Sequence, residues 1–395
     1  MRDQLARAAV SQALRRLRNG RIDVDETGRE RSFGPADAEL RARIAVHDPA
    51  AWRGALRGSV GLGETYVEGL WETDDLVTLI RIAARELHEA GRVRGAVARP
   101  RGWAHKVRGL VPDNTRTRAR QHIAAHYDLG NELFASFLDE RMLYSCAYFP
   151  EEGASLEQAQ LAKLRRICEE LRLGPENHLL EIGSGWGGLA IHAAREHGCR
   201  VTTTTISPAQ HELASRRVRE AGLGDRIEVL MEDYRDLGGS YDRLVSVEMI
   251  EAVGWRHFDE YFRRCSELLE PDGLMLLQAI TIDDRLYEAE KAARSFANTH
   301  VFPGGCLPSN KLIADCLARV TDMREVWMSD ITAHYPPTLA SWRRRFLDTW
   351  ERLRTRGYDE RFRRLWEFYL CSSEAGFRER RIGDVQMLLA KPGWR

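Results

Sequence analysis

Residues 178–189, HLLEIGSGWGGL, constrain the fold of this chain more than any other stretch. Leu179, Leu180 and Ile182 form a short apolar run. A turn carrying Gly183, Gly185, Gly187 and Gly188 follows, and then a helical pattern from Leu189 to His197. Strand, glycine turn and helix in that order open a nucleotide-binding βαβ unit. Glycines in such a turn let the backbone approach a ligand where a Cβ would collide with it.

Two patterns compete over these glycines. Gly183, Gly185 and Gly188 satisfy GxGxxG, the dinucleotide fingerprint. Glu181, Gly183, Gly185 and Gly187 satisfy ExGxGxG, which resembles the first motif of S-adenosylmethionine (SAM) methyltransferases. The second is favoured because Glu181 stands where it can pair with a ligand ammonium group. In addition, the next strand, RVTTTTI (200–206), ends without the acid that a NAD site uses on the ribose.

Downstream, strands alternate with helices: strands 178–182, 200–206, 227–231, 241–247 and 273–282, with helices 187–197, 208–221 and 255–269 between them. Pro271-Asp272-Gly273 reads as the turn before the last of these strands. One helix is expected near 286–297, and further strands at 322–330 and 382–390. The pattern predicts an α/β, Rossmann-like fold with a mostly parallel seven-stranded sheet and helices on both faces. Ligands bind at the carboxyl ends of such strands. That directs attention to the Gly183 loop, 205–210, Asp233-Tyr234 and 248–254.

The 395 residues suggest more than one domain. Residues 1–90 read as a small α+β docking or regulatory domain, with two strands around a Thr27-Gly28 turn. Asp23, Asp25 and Glu26 there read as a solvated turn rather than a metal cluster. A linker over 91–120 carries nine basic residues, from Arg92 to Arg120, against Asp113 alone, with Trp103, Val107, Leu110 and Val111 interleaved. This composition suits an anionic membrane surface or simply a solvated linker. The catalytic domain is then 121–395. It opens on a segment rich in polar and aromatic residues (His126, Tyr127, Asp128, Tyr144, Ser145, Cys146) that can fold over a ligand. The aromatic helical runs near 338–353 and 362–377 read as core or as the wall of an apolar channel.

Lys and Arg number 59 against 59 Asp and Glu, so the overall charge argues against a nucleic-acid partner. Seven scattered cysteines form neither a CxxC pair nor a disulfide framework, and no metal site is expected. No apolar run approaches the ~20 residues of a membrane span, and the N-terminus has no secretory signal. A cytoplasmic protein is expected.

Several blocks together resemble the cyclopropane-fatty-acyl-phospholipid synthase and mycolic acid cyclopropane synthase family. They are HYDLGNELFASFLDERMLYSCAYF (126–149), LLEIGSGWGGLAIHAA (179–194), TTISPAQ (204–210), EDYRDL (232–237), EMIEAVG (248–254), FANTHVFPGGCLPS (296–309), HYPPTLASW (334–342) and FYLCSSEAGFRERRI (368–382). The resemblance implies methyl transfer from SAM to the cis double bond of a phospholipid acyl chain. A carbocation forms, and loss of a proton gives a cyclopropane, or a methylene branch that a partner reductase would saturate.

The resemblance also implies a bound bicarbonate as base, cradled by the Cys146 N–H, Glu251, Ile280 and Tyr335. SAM contacts would come from Tyr144, Ser145, Gly183, Gly185, Thr205, Ile206, Gln210, Asp233 and Tyr234. Gln278 and Ala252 stand where well-known bacterial members carry His, and EMIEAVG with Gln278 is similar to plant cyclopropane synthases and to enzymes making 10-methylene fatty acids. Membrane phospholipid, an anionic membrane surface at the inner face of the cell membrane, and a homodimer are the expected partners. A methyltransferase for a small soluble metabolite and a non-catalytic lipid-binding protein are the competing readings.

Overall fold

The computed structural model describes residues 1–94 and 130–395. The basic stretch between 95 and 120, and His126, Tyr127 and Asp128, lie outside the described residues. Contacts divide the chain into two compact units that are not consecutive in sequence. The N-terminal residues group with Ala293–Val301 and Trp342–Arg381, while the described residues 130–292 form the other unit with Phe302–Ser341 and Ile382–Arg395. Two helical runs expected inside a catalytic domain at 121–395 therefore pack with the N-terminal residues.

In the first unit, β1 (Arg21–Glu26) and β2 (Arg29–Phe33) form an antiparallel hairpin. Thr27 and Gly28 at its tip both have positive φ, 56° and 76°, the twist that a two-residue hairpin favours. β3 (Arg41–Val46) runs parallel to β1, and β4 (Trp71–Thr73) closes the sheet in the order β2-β1-β3-β4. The helix Glu360–Arg378 packs against the helices Gly58–Val67 and Leu76–Arg94. Its Trp366, Phe368 and Leu370 are buried, as are Trp342 and Phe346, so these aromatic stripes are core. Arg81 and Arg85 each donate to one oxygen of Glu379, at 2.7 Å, tying two of these helices together.

The second unit holds the seven-stranded sheet: β5 (His178–Ile182), β6 (Arg200–Thr204), β7 (Ile227–Leu230), β8 (Tyr241–Val247), β9 (Leu269–Ile282), β10 (Arg324–Asp330) and β11 (Ile382–Ala390). Their order is β10-β11-β9-β8-β5-β6-β7. The β9-β8-β5-β6-β7 run is parallel, and β11 is antiparallel to both its neighbours. Side chains alternate between two cores, as strand geometry requires. Leu274 and Leu276 face the helices Leu156–Glu170 and Gly188–His197, whereas Met275, Leu277 and Ala279 face Phe258–Glu267 and Asn310–Val320.

Two local expectations are corrected. Pro271-Asp272-Gly273 does not precede β9 but lies within it as a bulge, the register jumping from Tyr241↔Leu269 to Arg243↔Leu274. The helix expected near 286–297 is two short ones, Asp284–Glu290 and Phe296–His300, the second started by a Ser295 capping box. Among the described residues, no helix is long and apolar enough to cross a membrane.

Candidate active site

The glycine turn sits where the sequence pattern places it, at the carboxyl end of β5. Gly183, Gly185 and Gly187 have φ of 102°, 48° and 81°, a region that side chains with a Cβ rarely adopt. Beside them opens a cavity lined by Tyr144, Ser145, Glu181, Gly183, Gly185, Thr205, Ile206, Gln210, Asp233 and Tyr234. Of the residues expected at the cofactor, only Gly187 is absent from that lining. It caps the helix Gly188–His197 instead.

Glu181 is buried, and its Oε2 accepts from Thr203 Oγ1 at 2.5 Å. Burial pushes its carboxyl up to about 8, which a ligand cation would reverse. Thr205 Oγ1 donates to Gln210 Oε1 at 2.9 Å, fixing the amide at the rim. Asp233 accepts a bidentate pair from Arg235, at 2.8 and 2.6 Å. Tyr234 packs edge-on against Tyr261.

The segment before the first catalytic helix covers the cavity through contacts that the sequence pattern did not predict. Asp139 accepts from the backbone N–H groups of Arg141 and Leu143. The fully buried Gln160 donates to the carbonyls of Leu143 and Ser145, and the buried Lys163 donates to Ser145 Oγ at 2.6 Å. Trp186, inside the glycine turn, donates to Asn131 at 2.8 Å. Tyr144 lies edge-on to Phe134 and stacked with Phe302.

Next to the cavity, the residues expected to cradle an anion converge on a carboxylate of the chain itself. Glu248 is the first residue beyond β8 and lines the cavity. Its Oε1 accepts from the Cys146 N–H at 2.8 Å and from Gln278 Nε2 at 2.8 Å. Its Oε2 accepts from the Tyr335 hydroxyl at 2.7 Å. The Gln278 amide nitrogen faces Glu248 and Asp384, while its oxygen accepts from Gln386 at 3.0 Å. Glu248 has φ of 47°, a left-handed conformation that costs a non-glycine residue about 1–3 kcal/mol and is held by its N–H bonding the Gln278 carbonyl at 2.8 Å.

The other acids nearby are differently placed. Glu251 accepts from the Ile280 N–H at 2.5 Å, and its second oxygen is buried without a partner. Burial first, and then the Glu248 charge, push it up to about 8. Asp384 is fully buried behind Gln278, and burial with two neighbouring acids raises it well above the usual carboxylate range. The Cys146 thiol is also raised by burial, so its contribution is the backbone N–H.

Cys146, Gln278 and Tyr335 are thus brought together as expected, but around Glu248. Glu251 and Ile280 are bonded to each other. Bicarbonate does not fit this arrangement as a resident base, because Glu248 already takes up the Cys146 N–H and the Tyr335 hydroxyl of its expected cradle, and Glu251 takes up the Ile280 N–H. Outside the cavity, Cys168, His192 and His197 bring possible ligand atoms within 4.8 Å of one another. Burial raises the thiol and lowers His192 to about 4, leaving both neutral, and Cys168 packs in the core between helix and sheet.

The fold and the glycine cavity are those of a SAM-dependent methyltransferase, and comparison with known proteins decides the family. The family model for mycolic acid cyclopropane synthetase matches residues 114–387. The chain belongs to the mycolic acid cyclopropane synthetase family.

Among curated members, the chain is similar to the tuberculostearic acid methyltransferase UfaA1 of Mycobacterium tuberculosis, 40% identical over 91% of this chain and 86% of that protein. It is also similar to the cyclopropane-fatty-acyl-phospholipid synthase of Escherichia coli, 36% identical over 91% of this chain and 89% of that protein. Among solved structures, the mycolic acid cyclopropane synthase CmaA1 complexed with SAH and CTAB matches 69% of this chain and 98% of its own, with TM-score 0.64 and 28% identity. As a member of this family, the chain is a methyltransferase with SAM as its donor.

Proposed function

We propose that this enzyme transfers the SAM methyl group to the cis double bond of an unsaturated fatty acyl chain in a membrane phospholipid, and that the product is a cyclopropane. The observation that carries the reading is a proton acceptor held by three donors at the wall of the cofactor cavity, in a family whose curated relatives act on fatty acyl chains. An alkene is a weak nucleophile, so the rate depends on holding it against the sulfonium and excluding water. Aromatic faces such as Tyr144 and Phe302 suit the cation that follows.

The similarity to a tuberculostearic acid methyltransferase favours a second product from the same first step. If hydride shifts from the methylated carbon to the cation before the methyl proton leaves, the product is a methylene branch. A partner reductase would then make a methyl branch.

Fatty acids analysed by mass spectrometry after incubation with SAM and oleoyl phospholipid test the proposal. A gain of one CH₂ with no remaining alkene is the expected result. A terminal methylene favours the second product, and a methylated water-soluble acceptor in place of lipid overturns both.

A peripheral seat at the inner face of the membrane follows from a phospholipid substrate, with the basic residues between Arg92 and Arg120 as its contact. Binding to anionic vesicles should weaken as salt rises, and salt-independent binding counts against that contact. Whether the enzyme works as a homodimer is read from its mass in solution.

A further inference from the structure

The three donors around Glu248 are spaced widely along the chain: Cys146 lies 102 residues before it, Gln278 lies 30 after, and Tyr335 lies 87 after. Each presents a hydrogen, which is the complement of an acceptor-only carboxylate. Resting on the lipid-methylation reading above, we propose that Glu248 is itself the base of the reaction, and that this enzyme needs no bound anion to remove the proton.

Oε1 has both lone-pair positions engaged by N–H donors. Oε2 accepts the Tyr335 hydroxyl, with the Asp384 carboxyl within hydrogen-bonding reach of the Glu248 side chain, on a residue that lines the SAM cavity. Among the described residues, the other titratable groups beside Glu248 are differently engaged. Glu251 is bonded to the Ile280 N–H, Asp384 lies behind Gln278, and Lys163 donates to Ser145. Burial and neighbouring acids push both carboxyls up, Glu251 to about 8. The backbone supports the assignment independently. The left-handed conformation at residue 248 is one that glycine adopts without strain, yet the position carries a carboxylate pinned at both its N–H and its side chain.

The alkene π pair bonds to the SAM methyl carbon. The carbon–sulfur bond breaks with its electron pair left on sulfur, and the adjacent former alkene carbon becomes the cation. Glu248 Oε2 then takes a proton from the new methyl group. The released C–H pair closes the cyclopropane ring, or forms the exocyclic double bond where a hydride shift has come first. The methyl C–H pair can collapse onto the cationic carbon as the proton leaves, so the base needs placement rather than strength. The negative charge also stabilises the cation until the proton moves. Glu248 is only partly buried and returns the proton to water once product leaves.

The test uses the full-length enzyme with SAM and oleoyl phospholipid, in buffer stripped of carbon dioxide and in the same buffer with added bicarbonate. Wild-type turnover should be equal in both. Glu248→Gln should lower turnover by about 10²–10⁴-fold, with SAM affinity by calorimetry unchanged. Glu248→Gly, which relaxes the backbone and vacates the side-chain volume, should be as slow in stripped buffer and regain rate when bicarbonate or formate is added. Wild-type turnover that collapses in stripped buffer, or a Glu248→Gln enzyme that keeps its rate, overturns the assignment while leaving lipid methylation intact. A wild-type enzyme that methylates no lipid in either buffer overturns the lipid reading and this assignment with it.

Discussion

Glu181 makes cofactor affinity depend on pH. In the free enzyme its carboxyl, raised to about 8 by burial, is protonated at neutral pH, whereas an ammonium group beside it favours the ionised form. SAM binding should therefore release a proton, and its affinity should rise as pH climbs from about 6 towards 8, by at most about tenfold per pH unit. Calorimetry in buffers of different ionisation enthalpy checks this, and Glu181→Gln should bind more weakly with a flat profile. Glu181 and the cofactor glycines were legible because motif and ligand contact share one short stretch. Glu248 was not, since an acid after a strand does not reveal which donors will turn towards it. Of the two acids in EMIEAVG, the family resemblance pointed to Glu251, which the fold bonds to Ile280 instead.

At the scale of elements, hydrophobic period and capping residues carried most of the information. Ser155 starts its helix with the capping box that its spacing from Gln158 allows. Ser155→Ala should cost about 1 kcal/mol in chemical denaturation. Pro271 was misread because a Pro-Asp-Gly triplet serves a bulge as well as a turn, and only pairing with β8 distinguishes them. Glycine spacing also hid a packing constraint in the helix Gly58–Val67. A Cβ on Gly63 would stand 2.3 Å from the Phe296 ring and 2.8 Å from Phe368. Gly63→Ala should destabilise the first unit by about 1–3 kcal/mol, visible as a lower denaturation midpoint, although alanine is the better helix former.

For the whole molecule, the seven-stranded sheet was legible from alternation alone, but the grouping of the units was not. Residues 342–381 lie between two strands of the large sheet in sequence, yet they pack with the N-terminal residues. Local periodicity tells a helix which face is apolar, not which partner will cover it. A fragment of residues 121–395 should therefore expose Trp366, Phe368 and Leu370, which the full chain buries, and elute as aggregate in size-exclusion chromatography. A monodisperse fragment would overturn this division.

The same discontinuity sets an order of events during synthesis. The usual course, in which an N-terminal domain folds while the rest is still being made, is closed to this chain. Its first unit waits for a helix that ends at Arg378. At ribosomal speeds of about 5–20 residues per second, the stretch from residue 94 to 381 takes roughly 15–60 s to appear. Throughout that interval the faces of the helices Gly58–Val67 and Leu76–Arg94 that the helix Glu360–Arg378 covers have no permanent partner. A nascent chain of this kind needs either a chaperone or a provisional collapse, and its first unit is completed only once residue 381 has been made.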